Sequence, residues 1–300
     1  MLSSKATATR RFRRMAPLLA ILASWAILGA WPGVVTGRGA AAPRRDPTWE
    51  VFAVRYATVP GFPVRYLVAG ADTTRTIDIA MMFWLLKGSD GRCAIVDAGF
   101  YRQKFLDEWK PSDFVRPSDA LRRFGVPADS ITDVIVSHVH WDHLDGADLF
   151  PNARVWLQRE EYTYYVGADG LPAHAAIDTL DSEMLASLNR AGRVHLVEGD
   201  AQQILPGITV FTGGKHTYAS QYVGVRTARG TVVVASDNAY LYENLDRHAP
   251  IAQTLDATSN LAAQGRMRTL AASPRLIVPG HDPAVFTRFR SVAPGVVKVE

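Results

Sequence analysis

A cluster of histidine and aspartate residues near the middle of the chain has the composition of a metal site. Residues 138–143 have the sequence HVHWDH, which places three imidazoles and one carboxylate within six positions. Neutral imidazole and carboxylate are the ligands that Zn²⁺ and other borderline first-row ions prefer. A solvated polar loop that happens to be rich in histidine is the alternative. The density of donors in one short turn favours the metal site.

Three further candidate ligands lie later in the chain. His216, Asp237 and His281 each follow an apolar, strand-like run, as the HVHWDH segment follows the β-branched run 131–136. Because the strand ends of packed sheets meet at one edge, we expect these side chains to lie close together. The remaining histidines are interpreted as ordinary surface or structural residues: His174, His195 and His248.

The HxHxDH run, with later His, Asp and His ligands in that order, resembles the signature of the metallo-β-lactamase superfamily. The resemblance implies an α/β fold, an αββα sandwich of two mixed β-sheets flanked by helices, with a metal site at one edge. It also implies two Zn²⁺ ions per chain, although other divalent first-row metals suit the same donors. The implied ligands are His138, His140 and His216 for one ion, Asp142, His143 and His281 for the second, and Asp237 as a bridge between them.

Two adjacent zinc ions would supply the chemistry of a zinc-dependent hydrolase. Metal binding lowers the pKa of water towards 7, so a hydroxide that bridges two ions is available as a nucleophile at neutral pH. One ion would polarise a carbonyl or phosphoryl oxygen while the other stabilises the leaving oxygen. No cysteine nucleophile is required, and the single cysteine, Cys93, lies upstream of the motif.

A tyrosine three positions after the bridging aspartate narrows the substrate. The sequence DNAY at 237–240 and the spacing of the later ligands resemble the N-acyl-homoserine lactone lactonases. That resemblance implies a lactonase-like carboxylic ester hydrolase that opens lactone rings and quenches quorum sensing. Tyr240 would donate a hydrogen bond to the developing oxyanion, and Asp142 would relay a proton to the leaving alkoxide. A packing aromatic is the alternative for Tyr240.

Two other functions stay open on the same ligands. A differently shaped pocket would accept other esters, thioesters or phosphotriesters. The second alternative is a sensor that binds metal without turnover. The complete ligand set argues against it, because loss of activity would be expected to erode some of the ligands. Antibiotic hydrolysis is disfavoured because superfamily β-lactamases often have a cysteine at the position of Asp237. A glyoxalase-type thioesterase is disfavoured because too few residues follow His281 for its helical substrate domain.

The first 42 residues are predicted to be a targeting segment, and residues 43–300 a single hydrolase domain. Residues 1–14 are basic without an acid, residues 15–37 are uncharged, and the alanines at 40–42 resemble a signal-peptide cleavage site. The uncharged segment is also long enough to be a retained membrane anchor. We therefore expect an exported protein that is periplasmic or secreted, or membrane-anchored if the leader is not cleaved.

Removing this leader reverses the net charge. The whole chain has 33 basic and 29 acidic residues and a formal net charge of +4. Six of the basic residues and none of the acidic ones lie in residues 1–42, so residues 43–300 carry a net charge of −2. The high isoelectric point therefore does not indicate a nucleic-acid surface. The predicted partner is a small lactone or ester, with membrane contact only through an uncleaved leader.

Hydrophobic patterning places strands and outer helices around the candidate ligands. The predicted strands are Val51–Ala57, Val64–Val68, Ile79–Leu86 and Cys93–Val96, and the predicted helices are Ser118–Phe124, Asp181–Ala191 and Thr254–Ala272.

Overall fold

Strand β2, which spans Thr76–Gly88, is apolar and buried throughout residues 79–86. Met81 and Phe83 pack into one hydrophobic cluster, whereas Met82 and Trp84 pack into another. Because successive side chains of a strand point to opposite faces, a strand with this composition must be covered on both sides. Its sheet is therefore an inner layer of the molecule.

The structure is a computed structural model that describes residues 46–300. Its larger sheet contains β1 (Trp49–Pro63), β2, β3 (Cys93–Val96), β4 (Ile131–Ile135), β5 (Arg154–Gln158), β6 (Val194–Val197), β12 (Arg290–Ala293) and β13 (Val296–Val299). Its smaller sheet contains β7 (Gln202–Leu205), β8 (Ile208–Thr212), β9 (Gln221–Thr227), β10 (Gly230–Ser236) and β11 (Ile277–Pro279).

Both sheets are mixed. The strand order is β12-β13-β1-β2-β3-β4-β5-β6 in the larger sheet and β11-β10-β9-β8-β7 in the smaller one. Strands β3 to β6 run parallel to one another, as do β10 and β11, and the other pairs are antiparallel. The carboxyl ends of several strands therefore meet at one edge, which is where loops can assemble a site.

Helices form the two outer layers. They are α1 (Gln103–Trp109), α2 (Pro117–Arg123), α3 (Trp141–Leu144), α4 (Arg159–Tyr165), α5 (Thr179–Arg190), α6 (Tyr242–Arg247), α7 (Ala257–Leu270) and α8 (Val285–Arg288). Residues of α1, α2, α4 and α5 pack with the larger sheet in one core cluster. Residues of α6, α7 and α8 share the other cluster with strands of both sheets. The predicted αββα sandwich is confirmed.

One predicted strand is wrong. Residues Val64–Tyr66 form a short 3₁₀ helix, and Val68 makes only an isolated bridge to Ile251. The backbone N–H groups of Leu67 and Val68 both donate to the Val64 carbonyl, at 2.9 and 3.0 Å. These local bonds use the groups that a strand would offer to a neighbour, so the β-branched residues are buried without joining the sheet.

The other predicted elements are found with ends shifted by at most three residues, except β1, which continues beyond Ala57 to Pro63. The helix predicted from Thr254 begins at Ala257, because the Asp256 carboxylate caps it by accepting from the Ser259 backbone N–H at 3.0 Å. Five helices were not predicted, namely α1, α3, α4, α6 and α8. Within residues 46–300, no helix is both long and apolar enough to cross a membrane. The predicted leader, residues 1–42, lies outside the described residues.

Candidate metal centre

All seven predicted metal ligands come together in the segments that follow strands β4, β8, β10 and β11, where five lie in loops and Asp142 and His143 lie in the short helix α3. Asp237 follows β10 directly, and the others lie a few residues beyond a strand end. Their donor atoms form two groups, each compact enough to hold one ion. The groups are His138, His140, His216 and Asp237, and Asp142, His143 and His281. The histidines and Asp142 divide as the family resemblance implies, and Asp237 falls in the first group.

The first group places three ring nitrogens and one carboxylate oxygen around a common point. His140 Nδ1 lies 3.0 Å from His138 Nε2 and 2.9 Å from His216 Nε2. Asp237 Oδ2 lies 3.7 Å from His138 Nε2 and 3.4 Å from His216 Nε2. A tetrahedral ion with metal–ligand bonds of about 2 Å holds its donors about 3.3 Å apart. The spacing therefore fits a four-coordinate first-row ion.

The second group uses the other oxygen of Asp237. Asp237 Oδ1 lies 3.1 Å from His281 Nε2 and 3.3 Å from His143 Nε2. Asp142 Oδ2 lies 3.5 Å from each of the same nitrogens. Each carboxylate oxygen of Asp237 thus faces a different group.

Two buried atoms at the centre have no hydrogen-bond partner within the described part of the chain, namely His143 Nε2 and Asp237 Oδ1. An unsatisfied buried polar atom costs about 1–3 kcal/mol. Both atoms belong to the donor set, so a bound cation would account for both. The residues present therefore fit a divalent metal.

In four of the five ligand histidines, the ring nitrogen that faces away from the centre is held by a hydrogen bond. His143 Nδ1 lies 2.8 Å from Asp97 Oδ2, and His138 Nδ1 lies 2.9 Å from Ser137 Oγ. Backbone carbonyls accept from the other two, Gln253 from His216 Nδ1 at 2.8 Å and Ala80 from His281 Nδ1 at 3.2 Å. These partners fix the orientation of each ring and leave its Nε2 lone pair for a metal.

Asp97 is a supporting residue that the sequence did not identify. It is fully buried just after β3 with a left-handed backbone (φ 61°). Besides contacting His143, its carboxylate accepts from the Ser137 backbone N–H at 2.7 Å and from Ser236 Oγ at 2.8 Å. Asp97 thereby links the loops that carry both ligand groups. An aspartate directly after a strand was the only available signal in the sequence.

Burial and charge divide the histidines into two sets. Burial, as the largest effect, lowers the pKa of all three histidines of the first group. Burial acts in the same direction on His143 and His281, but the carboxylates, Asp237 first, outweigh it and raise the pKa of both. Burial would raise the pKa of Asp237, but these two histidines hold it well below its usual range. Positive charge is thus favoured beside Asp237, and a divalent cation supplies it without protonating a ligand.

Glu161, on α4, joins the two ligand loops from behind. Its buried carboxylate accepts from Thr217 Oγ1 at 2.5 Å and from the backbone N–H groups of Ala219 at 2.6 Å and Val139 at 3.2 Å. Burial raises the pKa of Glu161 to about 7 against the opposing effect of these hydrogen bonds. No sequence pattern indicates this role, because the role depends on the packing of α4 against both loops.

A cavity of about 190 Å³ opens over the centre. Its floor includes His140, Asp142, Asp237 and His281, with Tyr240 beside them. Its remaining walls are Gln253 and the apolar side chains of Phe62, Leu67, Ile79, Met81, Trp109 and Trp141. Among the described residues that line it there is no lysine or arginine.

Trp141, inside the HVHWDH segment, anchors one wall of this cavity. Its ring stacks on Phe105 and Trp109 of α1 at centroid distances of 4.7 and 5.1 Å. Tyr240 is 5% exposed, and its hydroxyl lies 3.4 Å from His216 Nδ1. His174, His195, His248 and Cys93 join neither ligand group.

Comparison with known proteins agrees with this fold. The family model of the metallo-beta-lactamase superfamily matches residues 82–281, which include all seven ligands. An N-acyl homoserine lactonase from Bacillus sp. is 25% identical over 220 residues, covering 69% of this chain and 82% of that protein.

Solved structures share the fold. One is a quorum-quenching N-acyl homoserine lactone lactonase, with a TM-score of 0.68 and 20% identity over 84% of this chain and all of that one. Another is an N-acyl homoserine lactone hydrolase with the product N-hexanoyl-L-homoserine bound at its catalytic metal centre. Its TM-score is 0.68 and its identity 18%, over 83% of this chain and 98% of that one. The chain belongs to the metallo-β-lactamase superfamily, as a hydrolase with a His/Asp metal-binding cluster.

Proposed function

We propose that the protein opens lactone rings, with N-acyl-homoserine lactones as its substrates and quorum quenching as the consequence. The observation that carries this proposal is the position of Tyr240. Its buried hydroxyl lies in the cavity wall beside His216, and its ring centre is 5.8 Å from that of His281, so the phenol is close to both ligand groups. The similarity to a protein named N-acyl homoserine lactonase supports the same substrate class.

Tyr240 would donate a hydrogen bond to the substrate carbonyl as negative charge develops on it. Burial, followed by the charges of Asp237 and Asp142, raises the pKa of the phenol well above its usual value. The group is therefore protonated at neutral pH and available as a donor. A preorganised donor in a site with little water stabilises an oxyanion more than it stabilises the neutral carbonyl.

The two ligand groups would hold two divalent ions, zinc in this proposal. Bound ions would polarise the carbonyl as Lewis acids. They would also lower the pKa of water, so that hydroxide is available as the nucleophile at neutral pH. Asp237 would fix the separation of the groups, because each of its oxygens faces one of them. The Asp142 side chain, 13% exposed, lines the cavity and would carry a proton to the leaving alkoxide.

The cavity favours a neutral substrate with an apolar portion. Its described lining has no cationic side chain to bind a phosphate or carboxylate, and most of its wall is aliphatic or aromatic. An acyl lactone satisfies both conditions. A neutral aryl ester or phosphotriester satisfies them as well, which makes hydrolysis of these esters the second candidate.

Hydrolysis of a substrate panel tests the proposal. The metal-loaded protein is assayed by pH-stat on a short- and a long-chain N-acyl-homoserine lactone, an aryl ester, a thioester and a phosphotriester. We expect lactone turnover, with kcat reduced about 100-fold in Tyr240→Phe, the order found on removing one oxyanion donor. Metal content should be unchanged. Tyr222→Phe is the matched control, because that phenol is buried in the core away from the cavity.

The other outcomes would change either the mechanism or the function. Full lactone turnover in Tyr240→Phe would remove the tyrosine from the mechanism. Turnover of the aryl ester or phosphotriester without lactone turnover would select the second candidate. Bound metal without turnover of any substrate would indicate a metal-binding sensor.

We also propose that the protein is exported through its N-terminal segment. The support is the basic, then uncharged, then small-residue pattern of residues 1–42. Fractionation of the producing cells, with sequencing of the mature N-terminus, should recover the protein outside the cytoplasm and beginning near Pro43. Recovery of the uncleaved chain in the membrane would indicate an anchor, and recovery in the cytoplasm would contradict export.

A further inference from the structure

A second cavity, of about 360 Å³, lies among α6, α7 and α8 and shares no lining residue with the cavity over the metal centre. Its charged lining residues are Arg268, Arg275, Arg288 and Asp246. Three cations against one anion leave the cavity with a net charge of +2. Such a concentration of one sign in a concave site attracts ions of the opposite sign.

The three arginines reach the cavity from separate elements and are oriented by neutral partners. Arg268, on α7, donates to the Leu245 carbonyl, and Arg275 donates to the Arg288 carbonyl at 2.5 Å. The Arg288 guanidinium lies 3.6 Å from the centre of the Tyr242 ring. Within residues 46–300, none of the three arginines has a carboxylate within ion-pair distance. Their charges are held in place without being neutralised.

Tyr242 provides an independent indication of a ligand. The residue lines the cavity and is 3% exposed, yet its hydroxyl has no hydrogen-bond partner among the described residues. Burial is the main effect that raises the pKa of this phenol; the charges of Arg288 and Arg275 oppose the rise, and those of Asp282 and Asp246 add to it. The Arg288 guanidinium lies over the ring of Tyr242, so the unpaired phenol borders the charged side of the cavity, and a buried donor is costly unless something accepts from it.

We infer that this cavity binds the phosphoryl group of a small phosphomonoester. Guanidinium groups present forked N–H donors that match the oxygens of a phosphate, and the Tyr242 hydroxyl adds a further donor. The charge of +2 balances a phosphomonoester dianion, whereas a single carboxylate would leave one positive charge uncompensated. The cavity has the size of a small-molecule site, so it can enclose more than the phosphoryl group alone.

Calorimetric titration of the metal-loaded protein tests this site. The probes are inorganic phosphate, glycerol 3-phosphate, and phosphatidylcholine vesicles with or without phosphatidic acid, at constant ionic strength. We expect glycerol 3-phosphate to bind with one site per chain at the cavity. Arg275→Gln and Arg288→Gln should each weaken that binding about tenfold or more, because each removes charge-assisted hydrogen bonds. Tyr242→Phe should weaken it severalfold without a change in charge.

Arg290→Gln is the matched control. It removes the same charge two residues from Arg288, but Arg290 lies against Glu300 and does not line the cavity. Equal weakening by Arg290→Gln would reduce the effect to diffuse electrostatics and overturn the site. Binding unaffected by the arginine variants would place the phosphate at the metal centre instead, also overturning it. Preference for free phosphate or for phosphatidic acid vesicles would retain the phosphoryl site and identify a different source. Thermal unfolding of each variant checks that it is folded, and Tyr242→Phe tests the site should an arginine variant not fold.

Discussion

Replacing Asp97 by asparagine should disable the neighbouring metal ligand His143, although Asp97 is not itself a ligand. The Ser137 backbone N–H donates to Asp97 Oδ1, so the remaining amide oxygen of the variant should keep that place. The new NH₂ group would then face His143 Nδ1, where the carboxylate now accepts at 2.8 Å. A donor at that point selects the tautomer with hydrogen on Nε2, and that nitrogen can no longer bind a metal.

The expected magnitude follows from the role of such supporting partners. Their loss costs about 10- to 100-fold in metal affinity, or roughly 1.4–2.7 kcal/mol. The loss should fall on the second group, which contains His143, and leave the first group nearly intact. Asp97→Asn should therefore bind one ion with wild-type affinity and the other more weakly.

Competition with a chromophoric zinc chelator measures both affinities. Asp133→Asn is the matched control, because Asp133 is an equally buried strand aspartate that instead binds Arg154 and Trp156, and it should leave both affinities unchanged. Two wild-type affinities in a folded Asp97→Asn protein would refute the role assigned to Asp97.

Three further predictions concern the packing and charge around the centre. A Cβ at Gly280 would lie 2.5 Å from Asp237 Oδ1, so Gly280→Ala should reduce metal content measured by mass spectrometry; Gly265→Ala, with open space around its Cβ, should not. Burial raises the pKa of Glu161 to about 7 in the folded protein, so the folded state favours the protonated form. The stability that this protonation contributes is fully present below the unfolded pKa of the group and is lost as the pH rises through 7. Urea unfolding should show wild type losing about 3 kcal/mol relative to Glu161→Gln between pH 4.5 and 8, and a constant difference would contradict this. Chelation should lower the melting temperature, because an ion that binds only the folded state stabilises it; an unchanged value on EDTA addition would oppose that.

The residues that meet at the centre could be predicted because their chemistry is local in the sequence. Four of them lie in one six-residue run, and the others each follow a strand whose apolar pattern is strong. The resemblance of this run to the metallo-β-lactamase superfamily implied the sandwich, and the predicted apolar strands and outer helices agreed with it. The individual distances around Asp237 could not be predicted, because they depend on how four loops pack.

The supporting residues could not be predicted because their roles arise only from tertiary contacts. Asp97 and Glu161 resemble ordinary turn and helix residues until the loops that they connect are in place. Short helices were missed for a related reason. Helix α1 is seven residues long and has no side-chain cap, so packing of its Phe105 and Trp109 on Trp141 stabilises it more than local propensity does.

The most direct test of metal-dependent lactone hydrolysis measures turnover and metal content on the same protein samples. N-acyl-homoserine lactone hydrolysis is measured beside the metal-to-protein ratio for wild type and Asp237→Ala. We expect lactone opening with about two ions per chain in wild type, and loss of both turnover and metal in the variant. Lactone hydrolysis that persists in metal-depleted Asp237→Ala would contradict it.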